Sequence, residues 1–353
     1  MTYDVAIVGS GPAGASCAAF CARAGLQTVV LERESFPREK VCGDCLNPSL
    51  WQVLQRLGVE DEIRAAPHGE LQRVEFIGLS GRSISVELPR DAEIAIKRSE
   101  FDSILMRAAR DAGAEIRERV TVTSLVRSNL WSINSHEVQA RFLVAADGRN
   151  STVARLLGLM PRVEKDRVGL QAHVPIGDFG KRVVLQFLPG GYSGQAPVDD
   201  HELNVCLVGR AASLSALRTW AARRFDLPAN QAWRTITPLA RRAIAPARDG
   251  LFLIGDAARV VEPFTGEGIF YALRSGELAA TAIADGTESG RLNYMRQHAA
   301  MYRGRLWINQ LSRAAVTSPR FGSALLEVAR VRPSILQFIT RKIVSAAQDD
   351  TAS

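Results

Sequence analysis

The sequence predicts an α/β fold in which a Rossmann-type nucleotide-binding domain is interleaved with a β-sheet domain and followed by C-terminal helices. Three observations lead to this expectation. A β-branched apolar run leads directly into a glycine-rich turn and a small-residue helix, "VAIVGSGPAGASCAAF". Later in the chain, segments in which apolar and polar residues alternate, as in a β-strand, lie between stretches that resemble this first buried strand. From Asn293 onward, apolar residues recur at helical spacing.

The elements can be placed along the chain from these patterns. The first block predicts strand, turn, helix and strand up to "LQTVVLER". Helical spacing predicts helices over residues 50–57, 98–112 and 268–283. Alternation predicts strands within 71–96, 115–147 and 169–208, and "GLFLIGDAA" predicts one more buried strand. The last helical stretch is broken near Pro319 and Pro333.

The order of these segments predicts a discontinuous domain organisation. We expect the nucleotide-binding domain to comprise residues 1–70, 98–160 and 245–290. The substrate domain is expected to comprise residues 71–97 and 161–244. Residues 291–353 form a C-terminal helical segment in this prediction.

Composition places the chain among ordinary globular proteins. Of its 353 residues, 46% are hydrophobic and 23% charged, which allows a sizeable core. No apolar run approaches the roughly 18 residues that a membrane span needs. The N-terminus lacks the basic and apolar regions of a secretory signal. With five cysteines, too few for a disulfide scaffold, these features predict a cytoplasmic protein.

The stretch "VGSGPAG" places Gly9, Gly11 and Gly14 in the spacing of a dinucleotide-binding turn. The first glycine permits the tight turn, the second lets backbone approach a pyrophosphate, and the third lets helix pack on strand. Glu32 ends the next strand, where an acid can bind ribose hydroxyls. Strand, glycines, helix, strand and acid in this order predict a dinucleotide site, without distinguishing FAD from NAD(P).

Two later motifs each follow a predicted strand. "VAADGRNSTVAR" places Asp147 and Gly148 at such a strand end. "LFLIGDAARVVEPFTGEGIFYAL" contains the further motif residues Gly255, Asp256, Pro263, Gly266 and Gly268. The glycines after the proline open a predicted helix, whose N-terminus favours negative charge.

These three blocks, in this order, resemble the FAD-dependent family that includes para-hydroxybenzoate hydroxylase and geranylgeranyl reductase. The resemblance implies noncovalent FAD, with Asp256 bonding the ribityl chain and Arg98 of "IKRSEFDSILMRAARDAGAEI" approaching the cofactor. It also implies that the glycine-led helix points at the pyrimidine end of the flavin. No second dinucleotide motif is visible, so NAD(P)H is expected to reduce the flavin from outside.

Two details favour the geranylgeranyl reductase branch of that family. "PFTGEGIFYAL" is similar to its proline-Thr-Gly-Glu-Gly-Ile block, and "KVCGDCLNPSLWQVLQRLG" lies where its members carry a flavin-facing Cys-Gly loop. The aromatic Tyr-x-Trp-x-Phe-Pro block of those reductases is absent, which leaves an isoprenoid substrate open. The Trp-x-Trp-x-Ile-Pro block of flavin halogenases is also absent, which argues against chlorination.

The pentapeptide "VCGDC" allows several interpretations. A zinc site needs about four ligands, and no second C-x-x-C pair lies nearby, so no metal is expected. A redox dithiol usually precedes a helix directly, whereas Pro48 intervenes here. The resemblance favours a flavin-facing loop in which Cys42, Cys45 or Asp44 supplies a proton. Thiols that merely line a loop are the remaining alternative.

Other chemically reactive side chains receive structural interpretations. Cys17 and Cys21 lie one helical turn apart and are expected to pack in the core, as is Cys206 of "LNVCLVG". His173 and His298 have no acidic or nucleophilic partner nearby in the sequence. No chemical role is predicted for them.

The function expected from these features is hydride transfer between reduced flavin and a hydrophobic unsaturated substrate, whether isoprenoid-, lipid- or polyketide-like. Monooxygenation of an aromatic or polyketide-like substrate uses the same FAD motifs and stays an alternative. A flavin-binding protein without turnover is a third.

The basic residues are concentrated in the C-terminal segment. Residues 291–342 contain ten Arg or Lys and one acid, and with two later aspartates they account for the net charge of +7. This segment, with "SILQFITRKIVSAAQ", is either a solvated helical cap or a surface for an anionic membrane or an acidic carrier protein. No nucleic-acid-binding motif appears, so nucleic acid is not an expected partner.

Overall fold

The computed structural model describes residues 2–89, 93–162, 167–332, 334 and 338. The strands in chain order are β1 (Thr2–Val8), β2 (Thr28–Leu31), β3 (Cys45–Leu46), β4 (Gly69–Leu71), β5 (Arg73–Ile77), β6 (Ser83–Glu87), β7 (Glu93–Ala95), β8 (Glu115–Arg117), β9 (Leu125–Arg127), β10 (Trp131–Ile133), β11 (Val138–Ala145), β12 (Val168–Pro175), β13 (Arg182–Leu188), β14 (Gly191–Pro197), β15 (Glu202–Gly209), β16 (Arg234–Ile236), β17 (Ala247–Arg248) and β18 (Leu251–Leu253). The α-helices are α1 (Pro12–Arg23), α2 (Trp51–Leu57), α3 (Glu60–Ala65), α4 (Arg98–Asp111), α5 (Thr152–Leu156), α6 (Leu214–Arg224), α7 (Gly268–Asp285), α8 (Glu288–Met301), α9 (Leu306–Thr317) and α10 (Pro319–Val331).

The first sheet has a parallel centre, formed by β18, β11, β1, β2 and β8, with antiparallel strands at its margins. Its strands run in the order β17-β18-β11-β1-β2-β8, with β10 and β9 extending from β11. β1 pairs in parallel with both β2 and β11, so that Val5 lies opposite Thr28 on one side and Phe142 on the other. The apolar run of β1 is buried because neighbouring strands and helices cover both its edges and its faces.

The second sheet is mostly antiparallel, with the order β16-β12-β15-β14-β13-β5-β6. Its register places His173 of β12 opposite Asn204 of β15, and Gln171 opposite Cys206. A small third sheet consists of β3, β7 and β4. It holds the loop before α2 in place, because Cys45 of β3 pairs with Ala95 of β7. The α/β class and the C-terminal helices are therefore confirmed, while the predicted domain boundaries stay a prediction.

The C-terminal helices pack on both sheets. α7 lies against α1 so closely that a Cβ on Gly276 would stand 2.5 Å from the carbonyl oxygen of Ala13. α10 lies against β13 with similar closeness, since a Cβ on Gly322 would stand 2.4 Å from the ring of Phe187. The break predicted near Pro319 is correct, because that residue opens α10. None of the described helices is long and apolar enough to cross a membrane.

Candidate active site

A cavity lies between the carboxyl ends of the parallel strands and one face of the antiparallel sheet. Most of the residues predicted for cofactor or catalysis line it: Gly11, Cys42, Asp44, Cys45, Arg98, Gly148, Asp256, Pro263, Gly266 and Gly268. The remaining predicted site residues do not line it: Gly9, Gly14, Glu32, Asp147 and Gly255. The sequence motifs, which are dispersed over some 260 residues, therefore meet at one place.

The glycine turn after β1 has the geometry that its spacing predicts. Gly9 has a φ of +95°, and a Cβ there would stand 2.7 Å from the oxygen of Ala146. A Cβ on Gly14 would stand 1.9 Å from the oxygen of Gly9. Gly11 is the N-cap residue of α1, and no side chain makes a capping hydrogen bond there. A Cβ added to Gly11 would have Arg38 as its nearest neighbour, at 3.6 Å. The free N–H groups of α1 therefore face open space that suits an anion.

Glu32 is held in its ionised form at the end of β2. Its carboxylate accepts hydrogen bonds from the backbone N–H of Ser10 at 2.8 Å and of Glu34 at 3.0 Å, and from the Ser10 hydroxyl at 2.9 Å. Burial alone raises the pKa of Glu32, but these donors and Arg38 outweigh it, and the pKa is lowered. The acid is thus fixed as an acceptor beside the glycine turn.

A cluster of cations lies next to the glycine turn. Arg98 forms two 2.8 Å bonds to Asp102, and Arg38 approaches the same carboxylate at 3.3 Å. Lys40 lines the cavity beside them, and burial together with Arg98 and Arg38 lowers its pKa to about 8. Three cations around one shared carboxylate favour a bound anion. Arg38 and Lys40 belong to no spacing motif, so the sequence did not identify them.

Asp147 and Gly148 shape the wall between the two sheets. One oxygen of Asp147 accepts from the backbone N–H groups of Thr152 at 2.6 Å and Val153 at 3.1 Å, which caps α5. Its other oxygen is buried and has no partner in the described part of the chain. Burial raises the pKa of Asp147, although these hydrogen bonds oppose the shift. The carboxyl therefore stabilises the fold locally and leaves one acceptor towards the cofactor side.

The last motif brings a long helix to the cavity. Gly255 has a φ of +54° and donates its N–H to Ser275 at 2.8 Å. Asp256 lines the cavity and receives a 3.0 Å hydrogen bond from Arg149. Gly266 adopts a φ of +69°, and Gly268 is the first residue of α7. The positive end of an 18-residue helix therefore faces the cavity, as the motif predicts.

The loop "VCGDC" lies across the cavity, and its acid is fixed by the antiparallel sheet. Asp44, with a φ of +61°, is fully buried. One of its oxygens contacts His173 Nε2 at 2.8 Å and accepts from Gln171 at 3.3 Å. Its other oxygen has no partner among the residues that the structure describes. The interpretation of His173 as a residue without an acidic partner is wrong, because its partner lies 129 positions away.

Asp44 and His173 form a buried acid–imidazole pair. Burial raises the pKa of Asp44, although His173 and Arg98 oppose the shift. The side chain of His173 is 10% exposed, so this ring connects the buried acid with solvent. Asp44 is one of the residues that line the cavity, and its second carboxylate oxygen is buried.

Both loop thiols are free and protonated at neutral pH. Burial raises the pKa of Cys42, although Arg98 opposes the shift, and burial raises that of Cys45 further. The carbonyl of Cys42 accepts from Asn204 at 2.9 Å and from the Cys206 thiol at 3.3 Å. Cys206 was expected in the core, but it is half-buried and lines the cavity. These contacts hold the loop against β15.

The two cysteines of α1 and the acidic, histidine and cysteine side chains of the described chain show no arrangement for chemistry of their own. Cys17 and Cys21 are buried with sulfurs 3.9 Å apart, as core packing predicts. Within residues 2–89, 93–162 and 167–332, no group of three or more His, Cys, Asp or Glu is placed to hold a metal ion.

The part of the cavity beyond the loop is apolar. The antiparallel sheet and the loop before α7 contribute the side chains of Phe76, Val183, Leu185, Tyr192, Leu239 and Phe264. Tyr192 and Phe264 meet edge to face at 5.3 Å. Glu93 also lines this wall, and burial raises its pKa to about 7. No sequence motif contains Glu93, so it was not predicted.

Comparison with known proteins places the chain among flavoproteins. A family model described as an FAD binding domain matches residues 2–176. Menaquinone reductase of Mycolicibacterium smegmatis is 28% identical, and the alignment covers 99% of the chain and 93% of that protein. Digeranylgeranylglycerophospholipid reductase 1 of Methanopyrus kandleri is 29% identical over 82% of both proteins.

Two further comparisons concern length and fold. Conditioned medium factor receptor 1 of Dictyostelium discoideum is 30% identical over 80% of the chain, but the chain spans only 63% of that relative. The solved flavin-dependent brominase Bmp2 has 23% identity and a TM-score of 0.78, with 96% of this chain and 94% of that chain covered. At this identity the likeness shows a common fold.

The residues present fit an FAD. The turn at Gly9 and Gly14 has no room for side chains, whereas the space beside Gly11 is open for a diphosphate at the start of α1. The cluster of Arg38, Lys40 and Arg98 provides positive charge there, and α7 presents its N-terminus farther along the same cavity. Helix ends and cations on one side suit the anionic groups of the cofactor.

Proposed function

The chain belongs to the para-hydroxybenzoate hydroxylase-like superfamily of FAD-dependent oxidoreductases and is an enzyme; from this premise we propose that it reduces a carbon–carbon double bond in a hydrophobic, isoprenoid-like substrate. NAD(P)H acts as the external reductant in this proposal. One dinucleotide motif is present in the sequence, so the nicotinamide would bind only transiently.

The observation that carries the proposal is that an apolar wall and a buried acid, Asp44, line the same cavity as the FAD motifs. The wall of Phe76, Val183, Leu185 and Tyr192 suits a hydrocarbon chain and offers few hydrogen bonds to a polar substrate. The two reductases compared above act, by their names, on menaquinone and on a digeranylgeranyl lipid, both of which carry isoprenoid chains. Their likeness supports an unsaturated chain as the substrate.

Reduction of a double bond adds one hydride and one proton. The hydride would come from a bound FAD that NAD(P)H has reduced, because hydride transfer is the chemistry of a reduced flavin. The electron pair of the double bond then moves to the neighbouring carbon, which must receive a proton. The protein has to place an acid at that carbon and keep water from competing.

Asp44 is the acid that the geometry favours. Asp44 lines the cavity, one of its carboxylate oxygens has no partner among the described residues, and burial keeps the carboxyl protonated to a higher pH than usual. When the O–H of Asp44 gives its proton to the substrate carbon, the new carboxylate is stabilised by hydrogen bonds from His173 and Gln171. His173 can then return a proton from solvent, which it reaches through its exposed edge. Cys42 and Cys45 are protonated neighbours that could serve the same purpose.

The test is reduction of short prenylated quinones and prenyl alcohols by the FAD-loaded enzyme and NAD(P)H in deuterated water without oxygen. We expect at least one solvent deuterium in each reduced double bond, detected by mass spectrometry. A parallel reaction under labelled oxygen distinguishes the alternatives. Labelled oxygen in the product would show hydroxylation, and NAD(P)H consumption that no substrate alters would indicate a flavin-binding protein without this activity.

A further inference from the structure

The helix α10 is apolar on two opposite faces. Its inner face contains the buried residues Gly322, Leu326 and Ala329 and lies on β13. This packing accounts for one apolar stripe, which is all that a helix covering a sheet requires. The second stripe has no such explanation in the contacts of the described chain.

The outer stripe is formed by Phe321, Ala324, Val328 and Val331, at spacings of three, four and three residues. Such spacing places side chains on one face of a helix. Phe321 is 43% exposed, Val328 55% and Val331 82%. Exposed apolar residues that occur singly need no explanation, but an aligned stripe marks an interaction surface.

Positive charge borders this stripe. Arg320 precedes Phe321 and Arg332 follows Val331, and both arginines are exposed. Glu327 is the single acid of residues 291–342, and Arg330 and Arg82 approach it at 3.1 and 3.6 Å. In the preceding helix, Trp307 is 42% exposed and Leu306 43%. The exposed surface of α9 and α10 thus combines apolar side chains with Arg320 and Arg332, for which no ion pair is seen within the described part of the chain.

We propose that this outer surface docks on an anionic lipid bilayer. Apolar side chains with an arginine border are the composition of helices that lie in the membrane interface, where the stripe enters the lipid and the arginines meet phosphates. An acidic protein would satisfy the arginines but would not require the apolar stripe. The sequence also suggested a surface at "SILQFITRKIVSAAQ". Of its apolar residues, Phe338 is 55% exposed, whereas the apolar positions 335, 336, 339 and 343 and the basic positions 341 and 342 lie outside the described residues.

The docking surface lies one layer of side chains from the candidate active site. Leu326 of α10 and Ala315 and Val316 of α9 belong to the same apolar cluster as Tyr192 and Phe264, which line the cavity. If the proposed function holds, a bilayer on the outer face would bring an isoprenoid-like substrate to the apolar end of the cavity. The docking itself rests on the surface alone.

Flotation of the FAD-loaded, full-length chain with lipid vesicles tests the proposal without substrate or NAD(P)H, so its result is independent of the proposed reaction. We expect binding to vesicles of phosphatidylcholine with phosphatidylglycerol and little binding to phosphatidylcholine alone. Binding should weaken when salt rises from about 0.1 M to about 1 M, because the Debye length falls from about 10 Å to about 3 Å.

Two sets of variants locate the contact. The double substitution Phe321→Asp and Val331→Asp should weaken binding to anionic vesicles by at least about tenfold, because insertion of both side chains is lost. Arg320→Gln with Arg332→Gln should also weaken it, by about twenty-five-fold, since each arginine near an anionic surface is worth roughly fivefold. Val126→Asp, at a 61% exposed position on β9 of the other sheet, is the matched control and should bind like the unmodified chain.

The proposal fails if anionic and neutral vesicles float equal amounts of the chain, or if the double aspartate variant binds as well as the Val126→Asp control. Salt-sensitive capture by immobilised polyglutamate, with none by either vesicle type, would assign the arginines to an acidic protein and overturn docking on lipid.

Discussion

The two sides of the cavity differ in how far apart in the sequence the residues that form them lie. On the cofactor side, Gly9, Gly11 and Gly14 lie within six positions of the chain, so their spacing can be read from the sequence even though Gly9 packs against Ala146. On the substrate side, the contacts that place Asp44 and Cys42 join residues 129 and 162 positions apart. The glycine turn of the cofactor side is thus visible as a local pattern, whereas the contacts of the substrate side appear only in the folded sheet.

This difference has a chemical consequence. The cofactor side provides the groups that any FAD-dependent relative needs, namely helix ends, glycines and cations. The choice of reaction depends on what faces the flavin from the other side, and there the acid Asp44 lies beside an apolar wall. Substitutions on the two sides should therefore have separable effects, on cofactor binding in one case and on turnover in the other.

The largest effect is expected from Asp44→Asn. Loss of a positioned general acid costs about a hundredfold to ten-thousandfold in rate, so turnover should fall by roughly a thousandfold. FAD binding should be nearly unchanged, because Asp44 is attached to the antiparallel sheet and not to the glycine turn. Flavin absorbance and steady-state NAD(P)H oxidation measure the two properties on the same sample.

The imidazole signal of His173 gives a readout that does not depend on turnover. The ring lies 2.8 Å from Asp44, so the NMR chemical shifts of its ring nitrogens should differ between the Asn variant and the unmodified chain. Cys42→Ser is the comparison, since the sequence analysis named that thiol as one of three candidate proton donors. A thousandfold loss in Cys42→Ser with a small loss in Asp44→Asn would move the proton donor to the cysteine and contradict our assignment.

The same comparison explains what the sequence could predict. Glycine spacing, the strand ends before Asp147 and Asp256, and the helix after Gly268 are local patterns, and the structure brings all of them to one cavity. The partner of Asp44 could not be found this way, because His173 meets it only through the register of β12 in the folded sheet. Lys40 was missed for a similar reason, since nothing in "PREKVCGDC" shows that its ammonium is buried among arginines.

On the cofactor side, Gly11→Val should weaken FAD binding by about a hundredfold, or about 3 kcal/mol, the upper cost of overpacking a filled site. The fold should persist, because the nearest atom to the new Cβ belongs to the flexible Arg38 at 3.6 Å. Titration of the cofactor-free chain with FAD, followed by flavin fluorescence, gives the dissociation constant.

Gly78→Val is the matched control, since its Cβ also has its nearest neighbour at 3.6 Å, in Ser323, but lies outside the cavity. It should bind FAD like the unmodified chain. Equal affinity in the Gly11→Val variant would mean that the diphosphate does not approach this turn, and the local specification of the cofactor side would be wrong.

The smallest effect concerns Glu93 and is visible in the pH dependence of stability. Burial raises the pKa of Glu93 from 4.5 to about 7, so the folded chain binds this proton more tightly than the unfolded chain. The contribution of the protonated Glu93 to the free energy of unfolding is therefore complete below about pH 4. It is lost as the pH rises towards 7, and the total loss is at most about 3 kcal/mol.

Glu93→Gln removes this titration and keeps the size of the side chain. Urea unfolding of both proteins at several pH values should then show the variant gaining stability relative to the unmodified chain between pH 4.5 and about 7. Glu87→Gln, on the exposed edge of the neighbouring strand β6, should show no such divergence. If the Glu93→Gln and unmodified curves stay parallel, Glu93 is solvated, and the wall around it is wetter than an isoprenoid chain would require.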